Sequence, residues 1–158
     1  MSELPDASRR VADAAQAAGL AIDIKVMTAS TRTAEEAAAA CDCRVGQIVK
    51  SLVFKGATSG RGYLLLVSGS NRVDEAKVAS TLGETIIRPD ARFVRDLTGF
   101  AIGGIPPFGH ATPIATSIDR DLLDYDRVYA AAGTPSTIFS VDPKALAAAT
   151  GAAVISVA

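Results

Sequence analysis

Two apolar runs, Gln47–Lys55 and Tyr63–Val67, constrain this chain more than any other feature. Both are rich in β-branched and aliphatic residues, and the Gly/Ser/Thr-rich stretch Gly56–Gly62 separates them. Strands joined through so short a turn must pair antiparallel, so the region reads as a hairpin. Further strand-like runs, Thr112–Ile118, Arg127–Ala131, Thr137–Val141 and Ala153–Val157, are interspersed with helical segments. A purely parallel βαβ fold is thereby excluded. The expectation is an α/β domain with a mixed, barrel-like β-sheet and peripheral helices.

Local signals set the helix boundaries. Pro5-Asp6 opens a helix that stops at Gly19, with Val11, Ala14, Ala15 and Ala18 as a thin apolar face. A short strand is expected over Ala21–Val26. Thr33-Ala34-Glu35-Glu36 carries the T-x-x-E capping-box pattern and starts a helix running to about Cys41. Asp74 caps a helix ending before Gly83, Thr85–Ile87 is a strand, and Asp90 opens a helix ending near Gly99. Asp142-Pro143 is a cap and first-turn pair for a helix ending at Gly151. With 158 residues the chain fits one domain, 1–158, and no internal repeat is visible. Aromatic residues are few, so the core is aliphatic and alanine-rich.

Charge bears on partners. Lys and Arg number 16 against 17 Asp and Glu. A protein that holds long nucleic acid by charge alone is usually basic, so any RNA contact here is expected to be local. The N-terminus, Met1-Ser2-Glu3-Leu4-Pro5-Asp6, is acidic and polar, unlike a signal peptide. From Leu97 to Ile118 the chain carries no charge apart from His110, but Gly99, Gly103, Gly104, Pro106, Pro107, Gly109 and Pro113 interrupt it. It reads as a buried or site-lining loop, not a membrane span. A cytoplasmic protein follows as the expectation.

Several chemistries lack their motifs. The sequence has no G-x-x-x-x-G-K-[ST] loop, no H-E-x-x-H and no G-x-S-x-G elbow. Cys41 and Cys43 have no second Cys/His cluster to complete a zinc site and read as free thiols. No metal and no cofactor are expected.

Three candidates remain. Strand alternation puts Lys50 on one face with Ile48, Leu52 and Phe54, a face expected to look inward. An inward lysine is costly unless paired, wet or depressed in pKa; the alternative is a lysine that snorkels at the sheet edge. Gly103-Gly104-Ile105-Pro106-Pro107 combines paired glycines, which allow close backbone approach to a ligand, with prolines that stiffen the loop. A rigid turn explains it equally well. His110 ends the loop as an acid, a base, a donor or a structural residue. Arg88, Arg92 and Arg95 could meet RNA phosphates or form a solvated helix face.

Val49-Lys50-Ser51-Leu52-Val53-Phe54, preceded by Thr33-Ala34-Glu35-Glu36-Ala37-Ala38 and followed by Gly103–Pro107, resembles the YbaK-type and prolyl-tRNA-synthetase-associated editing domains. Asn71-Arg72-Val73-Asp74 and Ala131-Ala132-Gly133 fit the same pattern. The resemblance implies a metal-independent aminoacyl-tRNA deacylase that removes a small, wrongly attached amino acid. The partners implied are the aminoacylated 3′ end of tRNA and an aminoacyl-tRNA synthetase. It makes Lys50 the key residue and assigns Gly103, Gly104, Ile105, Pro106, Pro107 and Gly133 to substrate binding; His110 joins Lys50 as a catalytic candidate from its place at the end of the loop, not from the resemblance. Catalysis would lean on groups of the substrate while the protein positions the ester and a water. Lys50 would either stabilise the developing oxyanion or hold the phosphate or ribose of the tRNA end. Phe108-Gly109-His110 departs from many members and leaves the amino acid open. Two alternatives are a non-catalytic module for tRNA ends, nucleotides or proteins, and a hydrolase of free small esters or amides.

Overall fold

Helix caps fall where the side-chain chemistry puts them. In the computed structural model, which describes residues 4–158, α1 spans Asp6–Ala17 and α2 spans Ala34–Cys41. Thr33 Oγ1 accepts from the Glu36 N–H at 3.1 Å while Glu36 Oε1 accepts from the Thr33 N–H at 3.3 Å, so the capping box closes. Asp74, Asp90 and Asp142 each accept an N–H at the start of α3 (Glu75–Leu82), α4 (Ala91–Thr98) and α5 (Pro143–Thr150). All three helices end on a left-handed glycine, Gly83, Gly99 or Gly151. The N-terminal reading lies outside the described residues for Met1–Glu3.

The strands are β1 (Lys25–Val26), β2 (Ile48–Gly56), β3 (Gly62–Ser68), β4 (Ile86–Ile87), β5 (Ala115–Asp119), β6 (Val128–Ala131), β7 (Thr137–Val141) and β8 (Ala153–Ile155). They form one sheet in the order β1-β7-β6-β2-β3-β5-β8, with β4 on β2. The hairpin pairs Val49 with Ser68 through to Lys55 with Gly62. The β2–β6, β3–β5 and β5–β8 pairs are parallel and the rest antiparallel, which makes the sheet mixed as expected. β1 is shorter than its apolar alternation suggests. Ile22 and Ile24 pack against the core, so side-chain burial, not strand pairing, accounts for the pattern.

The β2 strand positions the site. One edge is covered by β3 throughout. On the other edge β6 pairs only with Ile48 and Val49, and β4 only with Lys55 and Gly56. Residues 50–54 have no strand partner there among the described residues, which leaves a break in the sheet.

The two faces are unequal. The largest core gathers Val49 and Val53 of β2 with Leu64, Leu66, Ile118, Ala130 and Phe139, under α1, α4 and α5. The opposite face, which carries Lys50, bears two smaller cores. Phe54, Leu65 and Val67 meet Val78 of α3, while Ile48 and Ile138 meet Ala37 and Ala38 of α2. The Lys50 face looks inward, with Ile48 and Phe54 buried, but into these two smaller cores, with Lys50 in the gap between them; the main core lies on the other face. Among the described residues, no helix is long and apolar enough to cross a membrane.

Candidate functional site

The gap beside Lys50 opens into a cavity of about 300 Å³. Ile48, Lys50 and Leu52 line it from β2, with Tyr129, Ala131 and Ile138 from β6 and β7. Thr31–Ala34 and Ala37 form one wall, where small alanines on α2 leave space, and Ile102, Gly103 and Ile105 form another. The volume sits at the lower end of the range of about 300–1,000 Å³ for small-molecule sites. Lys50 is thus brought together with Gly103 and Ile105 across 53 residues of sequence.

Lys50 is half-buried and held. Its Nζ donates to the main-chain carbonyl of Asn71 at 2.5 Å. The Asn71 side-chain amide donates to Asp119 at 2.8 Å and to Asp121 at 2.7 Å. Asp119 is itself buried and accepts from the Ser68 and Asp121 N–H groups at 3.1 and 3.0 Å. Burial pushes the Lys50 pKa below the usual lysine value; the Glu35 carboxylate opposes that, Arg72 adds to it, and Asp119 again opposes it. One of the three ammonium donors is occupied by Asn71, which leaves two for a ligand.

The glycine-proline loop divides between two tasks. Gly103 lines the cavity and takes φ +98°, a conformation natural only to glycine. Gly104 does not line it. A Cβ there would lie 2.7 Å from the Thr134 backbone, so its missing side chain admits the neighbouring loop, not a ligand. Gly133 has φ +100° and faces Ala7 of α1 in the same close way. Pro106 and Pro107 are buried and absent from the cavity lining. Of the six residues assigned to substrate binding, the structure places Gly103 and Ile105 at the cavity and gives Gly104, Pro106, Pro107 and Gly133 packing positions.

His110 is the second catalytic candidate. It does not line the cavity; its Nε2 donates to the Pro106 carbonyl at 2.8 Å and its ring meets Phe100 edge-on at 6.5 Å. Burial lowers its pKa, with the Pro106 hydrogen bond opposing. Arg10 of α1 stacks over the Phe100 ring, 4.4 Å from its centroid. His110 clamps the loop from behind.

Sequence reasoning missed the Thr31–Thr33 wall and the Tyr129, Ala131 and Ile138 floor. The signal available was the alanine run of α2, quoted only as a motif. Thr31 Oγ1 donates to the Pro135 carbonyl, tying that wall to the loop before β7. Cys41 and Cys43 are free, and burial raises both thiols, Cys43 to about 11, which leaves them poor nucleophiles. Arg88 and Arg92 are exposed and pair with Glu75 and Asp96, as a solvated surface does.

Fold and site define a single-domain α/β protein with a lysine-bearing cavity at a break in its mixed sheet. The chain belongs to the family of aminoacyl-tRNA editing domains, whose sequence profile matches residues 28–149. It is similar to the uncharacterized protein YwhH of Bacillus subtilis (strain 168), with 29% identity over 124 residues, 78% of each chain. Among solved structures, it is similar to a proposed trans-editing enzyme for prolyl-tRNA synthetase, at 48% identity, TM-score 0.92 and 98% coverage of both chains. A hypothetical protein, APE2540, is 31% identical with TM-score 0.87, over 94% of this chain and 98% of that one.

Proposed function

We propose that the protein is a trans-acting, metal-independent aminoacyl-tRNA deacylase of the YbaK type, acting in the cytoplasm on tRNA-Pro or a related tRNA that carries a small wrong amino acid. The observation that carries this reading is the Lys50 ammonium, fixed by Asn71 and aimed at a cavity sized for a small acyl group. The similarity to a proposed trans-editing enzyme along 98% of both chains supports action as a free domain.

The aminoacylated 3′ end enters the cavity and lays its ester beside Lys50. A water oxygen bonds to the carbonyl carbon, and negative charge collects on the carbonyl oxygen, where a fixed ammonium stabilises it. The C–O bond to the ribose then breaks, the ribose oxygen takes a proton, and free amino acid and tRNA leave. Among the described residues, no carboxylate and no imidazole lines the cavity. That composition supports a mechanism in which the substrate's own groups relay the proton from water. Small volume supplies the sieve: a group too large to enter keeps its ester. An overall charge of −1 fits contact confined to the tRNA end, with a synthetase as a further partner.

The test is incubation of the purified protein with a panel of tRNAs carrying matched and mismatched small amino acids, followed by measurement of the remaining ester. Selective loss of a small mismatched ester supports the reading. Binding of the charged tRNA without turnover would establish a recognition module in its place, and hydrolysis of free aminoacyl esters at the same rate would remove tRNA from the account.

A further inference from the structure

The cavity beside Lys50 is lined by a second cation. Arg32 is exposed and belongs to the same wall as Thr33 and Ala34, and among the described residues no carboxylate lines the cavity beside the two charges. In a chain with 16 basic and 17 acidic residues, so one-sided a lining is a local feature and not a product of composition.

The neighbours of Arg32 are held while its guanidinium is not. Thr31 Oγ1 donates to the Pro135 carbonyl, and Thr33 and Glu36 close the capping box of α2. The Arg32 N–H donates to Ser30 Oγ at 3.4 Å. Among the described residues, the guanidinium itself makes neither a hydrogen bond nor an ion pair within the protein, so its N–H donors stay free for a ligand. A guanidinium fork with free donors matches the oxygens of a phosphate.

The chemistry of a charged tRNA end says which phosphate. The carboxyl of the amino acid is tied up as a neutral ester, and its amino group is a base. The anion next to the ester is the phosphodiester on the 5′ side of the terminal adenosine. Lys50 is half-buried and Arg32 is exposed, an order of depth that follows the substrate from ester to phosphate. The other wall, Ile102, Gly103 and Ile105, offers no charge.

We propose that Arg32 is a substrate-binding residue that holds this phosphodiester, which leaves Lys50 to the ester. This rests on the reading of the cavity as a deacylase site. A phosphate contact positions the substrate without reading its sequence, so it acts on KM.

The test uses the aminoacyl group selected by the tRNA panel, carried as a 3′ ester on cytidylyl-adenosine, which has the phosphate, and on adenosine, which lacks it. Wild type should show the lower KM for the cytidylyl-adenosine ester. Arg32→Ala, at an exposed position, should melt with wild type. It should raise KM for the cytidylyl-adenosine ester about tenfold or more, keep kcat within about twofold, and leave KM for the adenosine ester within about twofold. On the full tRNA, the fall of log kcat/KM with log salt should flatten by about 0.7, the share of one single-strand phosphate. An equal rise in KM on both esters, no rise on either, or an unchanged salt slope overturns the proposal. Should Arg32→Ala fail to fold, Arg32→Gln decides by the same contrast. If wild type hydrolyses no ester of the panel, the deacylase reading fails, and non-hydrolysable alanyl amides of the two compounds then test Arg32 by calorimetry. Tighter binding of the cytidylyl-adenosine amide in wild type that Arg32→Ala abolishes supports the proposal, and equal binding of the two amides overturns it.

Discussion

The Lys50 ammonium donates to the main-chain carbonyl of Asn71 at 2.5 Å, and Asn71 is anchored through its side chain to Asp119 and Asp121. The lysine is thereby fixed by a residue that is itself fixed. Asn71→Ala removes both anchors and keeps the carbonyl. It should lower turnover at saturating substrate by about tenfold or more, since small misplacements of a positioning group are costly. Its stability loss should be about 2–4 kcal/mol, since two hydrogen bonds to carboxylates are lost and one of those carboxylates is buried. A melt and a kcat against KM comparison of the same variant check this; an unchanged kcat would show that the anchor is irrelevant to the lysine.

Gly104 and Gly103 should respond differently to alanine. At Gly104 a Cβ meets the Thr134 backbone at 2.7 Å, so Gly104→Ala forces two loops apart and should cost about 1–3 kcal/mol, like other overpacked sites. At Gly103 the nearest atom to a Cβ is Pro135 Cγ at 3.8 Å, leaving backbone strain at φ +98° as the penalty, at the cavity itself. Denaturant melts beside deacylation rates separate them: Gly104→Ala should lose stability first, and Gly103→Ala should lose more activity for each unit of stability.

His110 gives the fold an acid-sensitive clamp. Burial lowers its folded pKa below the ordinary 6.5, so the unfolded chain takes up the proton first as pH falls. Its contribution to stability is complete above pH 6.5 and declines as the pH drops from there toward the folded pKa. His110→Gln should flatten the pH dependence of the melting temperature over that window. At neutral pH it should retain most deacylation, because His110 does not line the cavity. A variant with an intact melt and no turnover would return His110 to the chemistry.

Much of this architecture was legible because local chemistry decides it. Thr33, Asp74, Asp90 and Asp142 cap helices as their positions imply, and the β2–β3 hairpin follows from two apolar runs and a glycine-rich turn. Alternation also placed Lys50 with Ile48, Leu52 and Phe54. What alternation could not show was which face holds the larger core, because β2 and β3 bury residues on both faces. Nor could it reveal the break between β6 and β4, a matter of non-local pairing. The glycine-proline loop shows the same limit: Gly103 and Gly104 are adjacent and chemically identical, yet one lines a cavity and the other admits Thr134.

Chelation should leave the activity intact. Among the described residues, no group of three or more His, Cys, Asp or Glu side chains is placed to hold a metal ion. Deacylation rates should be equal with and without EDTA. A strong loss in EDTA that added zinc restores would contradict a metal-independent reaction.

The central claim is that Lys50 serves the substrate and not the fold. Single-turnover deacylation by Lys50→Ala, measured beside a thermal melt, tests it most directly. Burial disfavours the ammonium, so the variant should fold and melt at or slightly above the wild-type temperature. Turnover should fall by about a hundredfold or more, the scale for removing one oxyanion-stabilising donor. Lys50→Arg should not restore it, because a planar fork cannot replace a compact ammonium held by one carbonyl. An unfolded Lys50→Ala, or one that deacylates at the wild-type rate, would contradict the account.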